Sequence, residues 1–321
     1  MTDHISHARI NKRERHTFYI KMLCNWSSSR DLLELWDKMG HGNYSYSNKG
    51  RTITMVDDSW TDDAADYIVV INATVHKPTV KNLRKTIFMK MEPVFVDPFW
   101  EYVHNNPELL KGRFTHLPGN YNNNEWHISK TLPELMAEIR GYKTIEKVYD
   151  KEISAILSHK NLDPGHVERL NFAREAQHLL PWHSYGSNVE GWINYKGPLP
   201  PYQKDGGLLP YKYTFNAENM KLPGYYTEKL IDAILCETLC FYSGHEDVQT
   251  HVDPNAYVLL DLSDINESIH VIKNAVDSDL WTQRLPYIKA AKKKILEETG
   301  FFPRLFTLVE NESYEFRDVS K

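Results

Sequence analysis

Short apolar runs alternate with amphipathic segments along the first half of the chain. The runs are rich in β-branched and aromatic residues and end at polar turns, which predicts strands at 17–24, 51–56, 67–72 and 86–91. Ser28 precedes a segment with apolar residues at helical spacing, so a helix is predicted over 31–36. Thr131 and Gly141 bracket another predicted helix at 132–140. Strands that alternate with helices are typical of an α/β fold with a mostly parallel sheet.

A second α/β pattern begins near Lys151. Its predicted strands lie at 152–157, 211–217, 239–242 and 257–262, with a short strand ending at Gly186. Its predicted helices lie at 166–180, 225–236, 265–276 and 278–298. The pattern therefore indicates two successive Rossmann-like domains. The predicted divisions are a polar N-terminal tail at 1–16, an N-terminal domain at 17–148, a C-terminal domain at 149–305 and a C-terminal tail at 306–321.

Length and composition agree with this division. The chain has 321 residues, which suits two domains, and its 41% apolar and 25% charged residues are ordinary for a globular protein. The net charge of −5 and the shortness of the basic runs argue against a nucleic-acid partner. No apolar run approaches the roughly 18 residues that a membrane span needs, and the N-terminus lacks a signal-peptide pattern. We therefore expect a cytoplasmic protein without stable membrane insertion.

Three common nucleotide and hydrolase motifs are missing from the sequence. No Gly-x-Gly-x-x-Gly follows the first predicted strand, and neither a P-loop motif nor Gly-x-Ser-x-Gly occurs. These absences argue against a dinucleotide-dependent dehydrogenase, a P-loop enzyme and an α/β-hydrolase. A phosphate-binding site in this chain must therefore use charged side chains and helix ends.

The segment 211–244 carries the clearest candidate chemistry. Glu218 and Asn219 follow a predicted strand, and Thr227, Glu228 and Lys229 stand in the first turn of the next predicted helix. A helix N-terminus presents unpaired N–H groups and a partial positive charge, so a lysine there is unfavourable unless an anion binds. A nucleoside diphosphate would supply the anion, and its ribose hydroxyls would find the Glu228 carboxylate. The alternative is a surface capping cluster with a solvated lysine, and the residues alone leave both interpretations open.

The same segment resembles the donor-binding motif of glycosyltransferase family ten, the α-1,3/4-fucosyltransferases, in the form known from bacteria and large DNA viruses. That motif is Phe-x-x-Glu-Asn followed by Tyr-x-Thr-Glu-Lys. The residues that match it here are Phe215, Glu218, Asn219, Tyr225, Thr227, Glu228 and Lys229. The resemblance covers about residues 150–305. The chain departs from the family at Leu239 and Cys240, where Val/Ile-Pro is usual, so the transferred sugar stays open.

The resemblance implies a fold, a reaction and two further site residues. The fold would be two Rossmann-like domains facing across a cleft (GT-B type), with a glycan acceptor on the N-terminal half and the donor, GDP-fucose, on the C-terminal half. Arg169 would pair with the diphosphate, a role for which Arg174 competes. Glu92 would take the proton from the acceptor hydroxyl in an inverting transfer. The alternative for Glu92 is an exposed glutamate in a turn.

The loop after the predicted strand 239–242 contains residue types that bind metals. They are His245, Glu246, Asp247, His251 and Asp253. Their spacing matches no recognisable ligand pattern, so we predict a polar loop near the nucleotide, with no metal site and no tightly bound cofactor. Stimulation by Mn²⁺ or Mg²⁺ stays open. The alternatives to a fucosyltransferase are a transferase of the same fold with another nucleotide sugar, and a non-catalytic nucleotide- or glycan-binding protein. The residues do not indicate an oligomeric state.

Overall fold

The computed structural model describes residues 16–75, 85–89, 91, 98, 99, 102, 125–187 and 191–315. Their contacts divide them into two compact units. The first unit holds residues 16–75, 85–88, 98, 99, 102 and 302–315. The second unit holds residues 89, 91, 125–187 and 191–301.

The first unit is built on a five-stranded sheet with the order β2-β3-β1-β4-β5. The strands are β1 (Thr17–Leu23), β2 (Ser45–Asn48), β3 (Arg51–Val56), β4 (Tyr67–Ile71) and β5 (Thr86–Met89). β1 pairs in parallel with β3 and β4, while β2 runs antiparallel to β3 at the edge. Helix α1 (Ser29–Trp36) follows β1 and is capped by Ser28, as predicted. Every predicted strand of this half is confirmed, whereas the polar strand β2 was not predicted.

The second unit contains another five-stranded sheet, with the order β10-β9-β8-β6-β7 and every pairing parallel. Its strands are β6 (Tyr149–Ser158), β7 (Trp182–Ser187), β8 (Tyr211–Ala217), β9 (Leu239–Ser243) and β10 (Tyr257–Leu259). Its helices are α2 (Leu132–Arg140), α3 (Pro164–Leu179), α4 (Glu228–Leu235), α5 (Ile265–Asp277) and α6 (Leu280–Lys294). The predicted α/β class with mostly parallel sheets is therefore confirmed.

The strand order of the second sheet changes direction at β6. The chain first moves from β6 to β7 on one side and then returns to β8 on the other side. Open α/β sheets bind their ligands at such a switch point, beyond the carboxyl ends of the strands. The core under this point is aromatic, because Phe172 of α3 and Trp182 of β7 both pack on Phe215 of β8, at ring distances of 4.8 and 5.5 Å. The topology therefore favours a ligand site at the carboxyl ends of β6 and β8.

The last described helix is α7 (Phe301–Glu315), which covers part of the C-terminal tail predicted from residue 306. Phe302 and Phe306 pack against Tyr46 of β2 at ring distances of 6.0 and 5.8 Å. Arg51 of β3 forms an ion pair of 2.7 Å with Glu310. These contacts within the first unit explain why the segment is an ordered helix: its aromatic side chains are buried against a sheet edge that lies far away in sequence.

Several other boundaries differ from the predictions, and three of these differences concern α4, β10 and the domain division. Helix α4 begins at Glu228, three residues after the predicted start, because Thr227 is its N-cap and accepts a hydrogen bond from the Lys229 N–H. β10 ends at Leu259 and not at residue 262. Helix α2 belongs to the second unit, although the predicted division at 148 puts it in the first; Glu138 of α2 accepts a hydrogen bond of 2.7 Å from Lys292 of α6.

The remaining regular turns are short. They are 3₁₀ turns at Asp37–Met39, Lys204–Gly207, Glu246–Thr250 and Pro254–Ala256, and a π-helical turn at Ile295–Thr299. Within the described ranges, none of the helices has the length and apolar character required to cross a bilayer.

Candidate functional site

A cavity of about 310 Å³ lies in the second unit, at the carboxyl ends of β6 and β8. Its wall includes the ends of those strands, the first turns of α3 and α4, the segment 125–127 and Lys204. Six of the predicted site residues line it: Arg169, Asn219, Tyr225, Thr227, Glu228 and Lys229. The cavity therefore occupies the switch point of the sheet, where the topology favours a ligand.

A glycine allows the start of α3 to approach the end of β8. The Gly165 N–H donates a hydrogen bond of 3.0 Å to the carbonyl of Asn219. A Cβ atom at this position would lie 2.2 Å from the carbonyl oxygen of Glu218 and 2.5 Å from that of Asn219. The next residue, His166, accepts a hydrogen bond of 3.2 Å from the Asp163 N–H and lines the cavity. The N-terminus of α3 is thus seated directly against the strand end.

Glu218 organises the start of α4 from behind the cavity wall. Its buried carboxylate accepts hydrogen bonds from the Thr227 N–H (2.8 Å), the Thr227 hydroxyl (2.8 Å) and the Tyr242 hydroxyl (2.9 Å). Lys229 Nζ lies 3.4 Å from the same carboxylate. Glu218 does not belong to the residues that line the cavity. Sequence reasoning predicted a donor-binding role, and the structure places this side chain where it orients the residues that do line the wall.

Lys229 stands in the first turn of α4 among oxygen atoms. Its ammonium group lies 3.1 Å from the Thr227 hydroxyl and 3.3 Å from Glu228 Oε1. The Asn216 side chain donates a hydrogen bond of 2.8 Å to the Lys229 carbonyl and holds the turn against β8. Burial by itself lowers the pKa of Lys229, but the charges of Glu228 and Glu218 outweigh burial and raise the pKa above its ordinary value. The lysine is therefore a fixed cation at the cavity wall.

Arg169 of α3 is a buried cation with unsatisfied hydrogen-bonding capacity. Its side chain makes one long hydrogen bond, 3.4 Å from Nη1 to the Ala217 carbonyl. The buried Nε and Nη2 atoms have no partner among the described residues. Burial lowers the pKa of Arg169, against the opposing attraction of Glu218 and Glu228. A buried guanidinium group whose nitrogens lack hydrogen-bond acceptors destabilises the folded state, unless an anion binds to it.

The two arginines predicted as candidates for binding the diphosphate differ in burial. Arg174 is exposed and donates a hydrogen bond of 3.1 Å to Asn171 on its own helix. Arg169 is 5% exposed and lines the cavity. Since a buried cation at a strand end is the one suited to bind an anionic ligand, the geometry favours Arg169 for this role.

Sequence reasoning missed several polar residues of the wall, among them Glu125, His127, Lys160 and Lys204. Lys204 Nζ lies 3.2 Å from Glu228 Oε1 and 3.2 Å from Asp232 Oδ2. Burial by itself raises the pKa of Glu228, but the charges of Lys204 and Lys229 bring it well below its usual value, so the carboxylate is ionised. Glu125 and Lys204 come from segments interpreted as loops, and nothing in their local pattern indicated a shared site.

In the polar loop after β9, carboxylate side chains accept hydrogen bonds from backbone N–H groups. The Asp247 carboxylate accepts a hydrogen bond of 2.6 Å from the Gly224 N–H and lies 2.9 Å from His245 Nδ1. Asp253 accepts one of 2.8 Å from the Asn255 N–H. Across the ranges that the structure describes, there is no group of three or more His, Cys, Asp or Glu side chains that could hold a metal ion. Glu92, the predicted general base, lies outside the described residues.

No family model and no curated protein matches this chain. Its structure is similar to an α1,3-fucosyltransferase with GDP, at 19% identity and a TM-score of 0.46, over 94% of this chain and 93% of that one. It is also similar to an α-glucosyltransferase in complex with UDP and a 13-mer DNA, at 10% identity and a TM-score of 0.49, over 92% and 99% of the two chains.

A third similar structure is Anabaena Alr3699/HepE in complex with UDP, at 11% identity and a TM-score of 0.47, over 93% of this chain and 99% of that one. The nucleotides named for these three proteins are GDP in one case and UDP in the other two.

Proposed function

We propose that this chain is a glycosyltransferase, which binds a nucleotide-sugar donor in the cavity at the ends of β6 and β8. The observation that carries the proposal is Arg169, with two buried guanidinium nitrogens that lack a partner among the described residues. A diphosphate offers paired oxygen atoms that match the fork of a guanidinium. Binding such a group would satisfy both nitrogens and offset the desolvation of the arginine.

The surroundings of Arg169 suit a diphosphate as the leaving group. Lys229 adds a second cation to the same wall, and the first turns of α3 and α4 both line the cavity. Helix N-termini present N–H groups and a partial positive charge to an anion. Groups held in position before the reaction stabilise the charge that grows on a departing diphosphate. The ionised Glu228 carboxylate is an acceptor for hydroxyl groups of the donor.

We further propose GDP-fucose as the donor and a glycan hydroxyl as the acceptor. Support comes from the run of motif residues between Phe215 and Lys229, because five of them line the cavity: Asn219, Tyr225, Thr227, Glu228 and Lys229. The departures at Leu239 and Cys240 make another nucleotide sugar the first alternative. A nucleotide-binding protein without turnover is the second.

The proposed reaction is a single displacement with inversion at the anomeric carbon. Glu92 takes the proton from the acceptor hydroxyl as that oxygen bonds to the sugar, and the nucleoside diphosphate leaves with the electron pair of the broken bond. Glu92→Gln is expected to slow transfer by about 10²–10⁴-fold, because a general base contributes roughly this factor. The affinity for the donor should stay unchanged in calorimetry. A variant that keeps the full rate would show that another group is the base.

A panel of donors tests the proposed function. The purified chain is mixed separately with GDP-fucose, other GDP-sugars and UDP-sugars, with and without EDTA, and thermal stability and nucleotide release are followed. A donor that binds the folded state raises the melting temperature. Stabilisation and GDP release with GDP-fucose alone would support the donor assignment, whereas another responding sugar would replace fucose. Binding without release, in the presence of glycan acceptors, would favour the non-catalytic alternative, and no binding at all would refute the proposal.

A further inference from the structure

Glu125 and His127 form a carboxylate–imidazole pair in the cavity wall, outside the motif residues. His127 Nε2 lies 3.1 Å from Glu125 Oε1. The Glu125 side chain is 5% exposed and that of His127 is 20% exposed. Both residues line the same cavity as Arg169 and Lys229. The pair therefore belongs to the candidate donor site, although both residues lie outside the motif between Phe215 and Lys229.

The position of the His127 ring is determined by contacts on several sides. The backbone N–H of His127 donates a hydrogen bond of 2.7 Å to Asp232, and the backbone carbonyl of His127 accepts one of 2.8 Å from the Lys204 N–H. The ring packs edge-on against Tyr202 at 4.6 Å. A side chain held in this way loses little freedom when it binds a ligand, which favours selective recognition.

The hydrogen bond to Glu125 also determines what His127 can offer. A neutral imidazole has one N–H donor and one acceptor nitrogen. When Nε2–H donates to the Glu125 carboxylate, the lone pair is left on Nδ1, and no described residue hydrogen-bonds to Nδ1. In this tautomer a residue of the cavity wall offers an acceptor nitrogen, in contrast to Arg169 and Lys229, which can only donate.

A nucleotide sugar needs both kinds of partner. Its phosphates accept hydrogen bonds, whereas the hydroxyl groups on its ribose and on its transferred sugar donate them. We propose that His127, positioned by Glu125, accepts a hydrogen bond from a hydroxyl group of the donor and so helps to select it. This inference rests on the proposed function. A buried site built to bind a hydroxyl group discriminates strongly against an analogue without it, because the unpaired polar atom stays desolvated.

The test measures donor affinity by calorimetry for wild type, His127→Phe and Glu125→Gln. His127→Phe keeps an aromatic ring against Tyr202 and removes the acceptor. The probes are GDP, GDP-fucose, UDP and UDP-glucose, together with 2′-deoxy-GDP. The expected result is an affinity about 10- to 100-fold weaker for His127→Phe and a smaller loss for Glu125→Gln. Matched controls are His178→Phe and Glu175→Gln, both exposed on α3, which should bind as wild type.

The probes identify which hydroxyl is bound. If the variants lose affinity for GDP-fucose but not for GDP, the contact is made by the transferred sugar. If they lose affinity for GDP but bind 2′-deoxy-GDP as wild type does, the contact is made by the ribose. Either pattern supports the proposal.

Two results would overturn the proposal while leaving the proposed function intact. In the first, both variants bind every probe as wild type does. In the second, the variants lower the melting temperature but keep their affinities, which would make the pair part of the structure only. A transfer rate that falls without any loss of affinity would also overturn it, because the pair would then act on the reaction and not on donor binding. If the wild type binds no nucleotide, the proposed function fails and this inference fails with it.

Discussion

Replacing Arg169 by methionine should change stability and donor binding in opposite directions. The side chain is 5% exposed, and two of its three guanidinium nitrogens are buried without a partner among the described residues. The remaining contact, 3.4 Å to the Ala217 carbonyl, is long and offsets little of this cost. Methionine fills a similar volume and needs no hydrogen bond. The variant therefore removes a polar group that the ligand-free fold accommodates poorly.

The expected sizes follow from the unsatisfied atoms. Leaving a buried polar group without a partner costs about 1–3 kcal/mol, so Arg169→Met should raise the free energy of unfolding of the ligand-free chain by about this amount. The lowered pKa of Arg169 leads to the same expectation for the free energy of unfolding, because it means that the fold destabilises the charged guanidinium group. Donor affinity should fall by roughly 100-fold, the loss of about 3 kcal/mol from a paired contact to charged oxygens.

Chemical denaturation of the ligand-free chain and calorimetry with GDP measure the two effects separately. Arg174→Met is the matched control, because Arg174 lies on the same helix but is exposed, and it should leave both quantities unchanged. A variant at 169 that is less stable than wild type, and that binds GDP equally well, would refute the reasoning. Arg169 would then be a structural cation paired with Glu218 and Glu228.

Three further changes test other parts of the site and fold. Gly165→Ala should lower the free energy of unfolding by about 1–3 kcal/mol in urea titrations and weaken GDP binding, since its Cβ would meet the Glu218 carbonyl at 2.2 Å. Glu218→Gln should weaken GDP binding and lower the melting temperature, because Thr227 and Tyr242 lose a charged acceptor. Burial lowers the pKa of Lys147 to about 8, so the wild type should gain stability relative to Lys147→Met as pH rises from about 8 to 10.5, where only the unfolded lysine is protonated. If the difference in free energy of unfolding between the two proteins does not change over this pH range, the pKa of Lys147 is not lowered by the fold.

The candidate site shows which parts of a site local sequence can reveal. Thr227, Glu228 and Lys229 are adjacent, and their position after a predicted strand and at a helix start follows from the local pattern. Arg169 could be proposed only beside Arg174, because both stand on one amphipathic helix. Burial decided between them, and burial depends on β8 and on the start of α4, which lie far along the chain.

Other residues of the site could not be found from the sequence. Glu125, His127 and Lys204 lie in irregular segments, and they meet Glu228 because the backbone N–H of His127 is held by Asp232 of α4. Contacts of this kind join residues about a hundred positions apart. No periodicity or spacing carries that information.

The sequence by itself determined the α/β class and the places of most strands and helices. This was possible because apolar periodicity, caps and turn residues act within a few positions of each other, and apart from β2 they coincide with the observed elements from β1 to α6. Only the tertiary structure decided that the polar segment Ser45–Asn48 is a strand and that the chain continues as a helix to Glu315. Both depend on partners supplied by the fold: β3 gives β2 its hydrogen bonds, and Tyr46 gives Phe302 and Phe306 an apolar surface. The cavity has the same origin, because its cations and carboxylates become one site only when the sheet brings the ends of β6 and β8 together.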